Sequence, residues 1–106
     1  MITVYIKGRR YRTNVMASYN EVTNETIVKK GSVVSEEVKE FIHKESIEEL
    51  RKDNVDSSGI LIKNIRFSNP TSAAQFVCGY SVSGLSAWHV ERHKNLGLWL
   101  KENSKG

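Results

Sequence analysis

The stretch Phe67-Ser68-Asn69-Pro70-Thr71-Ser72-Ala73-Ala74-Gln75-Phe76-Val77-Cys78-Gly79 constrains the fold more than any other part of the chain. Asn69 offers a side-chain oxygen to the free amides of a first helical turn. Pro70 suits the first helical position, whose amide needs no partner. Ala73, Phe76 and Val77 stand at i, i+3 and i+4 and form one inward stripe. The small Ala73 and Ala74 let that helix approach a sheet closely. Gly79 suits the residue just past a helix end, where the backbone turns left-handed. On either side, Ile60 to Phe67 reads as a strand apolar on both faces at its start, hence an interior one. Ser83-Gly84 reads as a tight turn, and Leu85 to Val90 as a further strand carrying Trp88.

The rest of the chain supplies more elements. Ile2, Val4 and Ile6 alternate with Thr3, Tyr5 and Lys7, the period of a half-buried strand. Lys7-Gly8-Arg9 makes a turn, and Arg10 to Met16 returns as a second strand containing Tyr11. Tyr19 to Asn24 is loop-like, and Glu25 to Lys30 is a short strand ended by Gly31-Ser32. Ser35 followed by Glu36 and Glu37 predicts a helix N-terminus, with Val38, Phe41 and Ile42 as its apolar stripe. Ser46 and Glu49 make a capping box for a second helix carrying Ile47 and Leu50. Leu96, Trp99 and Leu100 give the tail Asn95 to Glu102 a helical face. The order β-β-β-α-α-β-α-β-α predicts an α+β fold: a mostly antiparallel sheet of about five strands, with three to four short helices packed on one face.

A chain of 106 residues with 39% hydrophobic and 26% charged residues is expected to form a single domain, residues 1–106. One cysteine cannot form an internal disulfide, and no apolar run approaches the ~18 residues of a membrane span. Both points lead us to expect a cytoplasmic protein with no membrane partner. The net charge of +4 is unevenly spread. Residues 1–31 hold six cations against two acids, residues 32–56 hold eight acids against four cations, and residues 57–106 again hold six cations against two acids. If the two basic thirds meet in space, one side of the domain is positive and favours polyanions.

Chemistry is sparse. His89 and His93 have a metal-ligand spacing only on a helix, and the pattern predicts strand and loop there, so no metal site is expected. Cys78 follows Phe76-Val77 and reads as a small core residue. Gly31, Gly79 and Gly84 are isolated, without a phosphate-binding glycine pattern. The acids of the predicted first helical turns are explained by the helix dipole. We therefore expect no catalytic residues and no cofactor. The best functional candidates are Lys7, Arg9, Arg10, Tyr11 and Arg12, a hairpin tip whose cations can contact phosphates while Tyr11 stacks or wedges. The competing reading is a basic edge that discourages strand-to-strand association. Arg92 and Lys94 extend the patch. Trp88 and Trp99 are core anchors or, if exposed, partner contacts.

From about Met16 to Val90 the chain resembles a bacterial group catalogued as domain of unknown function family 4357. The resemblance rests on Ile27-Val28-Lys29-Lys30-Gly31-Ser32, on Glu48-Glu49-Leu50-Arg51, on Phe67 to Ala74, and on the spacing of Gly79, Ser83-Gly84 and Trp88. Leu85 stands where the family pattern has Trp after Asn-Gly. The N-terminal basic strand, residues 1–15, and the C-terminal helix, residues 95–103, flank this core. The resemblance implies an accessory domain found with GIY-YIG-type nuclease, restriction–modification and other defence-related proteins. It carries no catalytic residues over. Charge and resemblance together predict a non-enzymatic module that binds nucleic acid. The alternative is a protein–protein interaction or homodimerisation module.

Overall fold

A computed structural model describes residues 1–8 and 13–104. Six strands form one antiparallel sheet: β1 (Ile2–Lys7), β2 (Asn14–Tyr19), β3 (Thr26–Val28), β4 (Ile65–Phe67), β5 (His89–Glu91) and β6 (Lys94–Asn95). Their order across the sheet is β4-β3-β2-β1-β5-β6. Four helices complete the described residues: α1 (Lys44–Asn54), α2 (Pro70–Cys78), α3 (Gly84–Ala87) and α4 (Leu96–Asn103). The architecture is α+β as expected, with one strand more, the two-residue β6.

Register explains why only one face of the sheet is covered. Val4, Ala17, Val28 and Ile65 lie in one cross-strand row, and Ile2, Tyr19, Thr26 and Phe67 in the next. Ile6 and Val15 make a third. These rows point toward Ala73, Ala74, Phe76 and Val77 of α2 and Leu96 of α4, and together they make the core. Strand residues one position out of phase face away from the helices.

The α2 unit is built as its local signals predict. Asn69 accepts from the Ser72 amide at 2.8 Å, Pro70 begins the helix, and Gly79 ends it at φ 77°. Asn95 likewise caps α4 by accepting from the Leu98 amide at 2.8 Å. Gly84 serves close approach rather than a turn. It is the first residue of α3, and a Cβ there would lie 2.3 Å from the Pro70 carbonyl carbon. Gly84→Ala should therefore destabilise the domain by about 1–3 kcal/mol in a urea titration, through overpacking against backbone.

Several expectations are corrected. No helix forms over residues 35–42. The Ser35 amide donates to Val77 O (2.9 Å) and the Lys39 amide to Gly79 O (2.7 Å), so the C-terminus of α2 captures the donors that a helix there would need. Ser46 lies inside α1, which starts after His43, so no capping box forms. The segment 60–67 is not an interior strand: only Ile65–Phe67 pairs as β4, at the sheet edge. Its apolar start is explained by Leu61, which is fully buried and tied through backbone to Gly31 and Ser32. Residues 84–87 are helical, and the strand begins at His89, not Leu85. The second strand begins at Asn14; of the expected range 10–16, residues 10–12 lie outside the described residues.

Candidate nucleic-acid interface

The face of the sheet turned away from the helices is the only extensive sheet surface without a covering layer among the described residues. Its rows follow from register: Lys7 opposite Asn14, Tyr5 opposite both Met16 and His89, and Thr3, Ser18, Ile27 and Arg66 in line. Met16 is 47% exposed, large for a strand methionine in the middle of a sheet. Where β1 meets β5, Tyr5, Lys7, Gly8, His89, Glu91 and Arg92 line an open cleft of ≈ 560 Å³. That lies within the ~300–1,000 Å³ range of small-ligand sites.

The electrostatics of the cleft come from residues far apart in sequence. Lys7 belongs to the first basic third and Arg92 to the last, and the β1–β5 pairing puts both at one site. Both side chains are exposed, and Arg92 makes no ion pair with any described residue. Lys7 Nζ stands 5.9 Å from the Tyr5 ring centroid. Glu91 is the acid of the cleft, and it faces Lys94 at 3.8 Å. Arg9, Arg10, Tyr11 and Arg12 lie outside the described residues. The residues that bracket them, Gly8 and Thr13, are joined by a 2.9 Å backbone hydrogen bond.

The other candidates fall elsewhere. Lys94 is engaged: its ammonium is 2.7 Å from Glu102 and 3.8 Å from Glu91, and these carboxylates raise its pKa, the Glu102 hydrogen bond most. Trp88 is corrected as a partner contact. It is fully buried, and its indole N–H donates to Pro70 O at 2.9 Å, so no part of the ring faces a partner. Trp99 is half-buried and docks α4 on the core. His89 sits in β5 and His93 in the turn before β6. Among the described residues no three His, Cys, Asp or Glu side chains cluster as metal ligands.

One feature was missed in the sequence. Arg51, on α1, reaches the C-terminus of α2 and the 35–38 segment. Its guanidinium donates to Ser35 O (2.7 Å), Ser35 Oγ (2.9 Å) and Phe76 O (2.7 and 3.1 Å). A cation at a helix C-terminus is favoured by the helix dipole. Burial lowers its pKa to about 10, which still leaves it charged near neutrality.

Cys78 lies beside Arg51, yet burial pushes its thiol up to about 11, with the nearby cation opposing only in part. The nucleophilic thiolate is therefore scarce near neutral pH. Alkylation by iodoacetamide should be slow in the native protein and accelerate in parallel with unfolding in urea. The folded thiol holds its proton longer than an unfolded one at 9.0, so stability falls as pH rises from about 9. Cys78→Ala should flatten that decline between pH 9 and 10, below the range where Arg51 begins to act in the opposite sense.

Fold and site together define a small α+β module with an uncovered sheet face and a cleft that holds two exposed cations. The chain belongs to the family described as Domain of unknown function (DUF4357), whose model matches residues 6–100. The match takes in the last two residues of β1 and most of α4, beyond the stretch 16–90 that carries the resemblance in the sequence. No curated protein and no solved structure is significantly similar to it. Among the described residues no helix is long and apolar enough to cross a membrane.

Proposed function

We propose that this domain is a non-enzymatic accessory module that binds nucleic acid through the basic part of its uncovered sheet face. It would act in the bacterial cytoplasm, in a nuclease, restriction or defence setting, a context drawn from the family resemblance. The observation that carries the reading is the meeting of the two basic thirds. Strand β1 pairs with β5, and Lys7 and Arg92 line one cleft beside the ends of the segment holding Arg9, Arg10 and Arg12. The acid-rich third, residues 32–56, contributes no strand to the sheet and includes α1. Contacts of this kind neutralise phosphates and release counterions, so binding depends on salt.

The test is binding of labelled duplex and single-stranded oligonucleotides by fluorescence anisotropy at increasing salt. Wild-type affinity should fall tenfold or more between about 50 and 200 mM salt, as expected for a few phosphate contacts. Arg9→Glu with Arg10→Glu should abolish binding at low salt, and Lys7→Glu with Arg92→Glu should weaken it at least tenfold. Absence of any wild-type binding at low ionic strength would overturn the proposal. A second reading, homodimerisation, is favoured by Leu85 (42% exposed) and Leu98 (44% exposed) on the neighbouring helices α3 and α4. Sedimentation as a monomer at high concentration would exclude it.

A further inference from the structure

The chemistry of the cleft goes beyond phosphate contact. Tyr5 and His89 are register partners at the β1–β5 seam, both half-buried, with their side chains on the uncovered face. The backbone at the seam is held by the sheet, and a ring has only two side-chain torsions to order, so it presents a π-face at little cost in entropy. Lys7 and Arg92 flank the pair. We propose that Tyr5 and His89 form a stacking platform for an unpaired base, and that the strand this face takes is single-stranded nucleic acid.

Three observations converge on that occupant. First, the rings belong to the same cleft as two exposed cations, the combination that single-strand binders use: bases stack on aromatic groups while the backbone follows positive charge. Second, His89 Nδ1 lies 2.9 Å from Ala87 O. In the neutral ring that nitrogen carries the proton, and Nε2 is left as an acceptor for a base edge. Third, the Tyr5 ring already draws a cation, with Lys7 at 5.9 Å, near the outer limit of a cation–π contact. Lys7 is exposed on a flexible stem, so it can turn to a phosphate as a base takes its place over the ring. A base paired inside a duplex cannot lie flat on this surface, because its faces are occupied by its neighbours.

This inference rests on the nucleic-acid reading above, and the experiment separates the two. Anisotropy at low salt is measured with an oligothymidylate and with a strand of equal length made of abasic sugar–phosphate units, which has the same charge and no bases. Wild type should bind the base-bearing strand about tenfold tighter than the abasic one. Tyr5→Leu should erase that difference while leaving affinity for the abasic strand unchanged, and Tyr5→Phe should keep it. His89→Ala should reduce it severalfold, which secures the test should Tyr5→Leu fail to fold, as judged by its circular dichroism and melting. An oligouridylate measured against the same abasic strand tells DNA from RNA as the source of the base, and a preference for either base-bearing strand supports the platform. Equal binding of base-bearing and abasic strands, or tighter binding of duplex, would overturn the platform and leave the phosphate reading standing. No binding of any strand would overturn both.

Discussion

Trp88→Ala should destabilise the domain more than any other single change named, with a large drop in the midpoint of a urea or thermal melt. The indole is fully buried, and its N–H donates to Pro70 O, so truncation leaves a cavity and removes a hydrogen bond that ties it to the start of α2. Deleting a buried Trp costs about 3–5 kcal/mol, against a total stability of about 5–15 kcal/mol for a domain. The same residue holds two more elements in place: its amide donates to Gly84 O of α3, and its carbonyl accepts from Leu96 at the start of α4. Trp88→Phe is the control. It keeps most of the apolar volume and loses the hydrogen bond, and should cost about 1–3 kcal/mol. Equal stability of Trp88→Ala and wild type would mean that this packing is not what holds α2, α3 and α4 together.

Arg51→Met should be the second most damaging change, at about 2–4 kcal/mol in the same titration. Methionine fills much of the aliphatic volume but donates nothing. Phe76 O and Ser35 O then lose the guanidinium, while Val77 O keeps the Ser35 amide at 2.9 Å. The residues 35–38 are held without a helix of their own, so they should show the greatest gain in amide hydrogen exchange. Arg51→Lys should rescue only part, because an ammonium is a point charge and cannot span both carbonyls as the planar fork does. Uniform exchange across the chain would show that Arg51 does not anchor this segment.

Local chemistry was legible in the sequence and tertiary competition was not. Asn69, Pro70 and Gly79 act on their immediate neighbours, so α2 forms where they place it. Asn95 does the same for α4. Ser35-Glu36-Glu37 carries equally good helix signals, yet the α2 C-terminus and Arg51 supply better partners for that backbone. Gly79 is part of the reason: a Cβ there would lie 2.4 Å from Glu37 O, so glycine permits the close approach. The edge position of β4 was hidden because Leu61 is buried by an irregular crossing and not by a sheet on both sides. In the candidate site, Lys7 and Arg92 were legible as charge. Tyr5 and His89 were not legible as a pair, because their register depends on a contact between strands at opposite ends of the chain.

That long-range seam has a consequence for how the domain can be regulated. Strand β1 is the sole link in the sheet between β4-β3-β2 and β5-β6, so loss of the β1–β5 pairing splits the sheet and separates the Tyr5–Lys7 side of the cleft from the His89–Arg92 side. On the proposed function, a strand of nucleic acid lying across the join would act as a clasp, since it would hold only the closed form and stabilise it by mass action. Occupancy and intactness would then be read by one melting curve, and a copy opened at this seam would release a strand bound there.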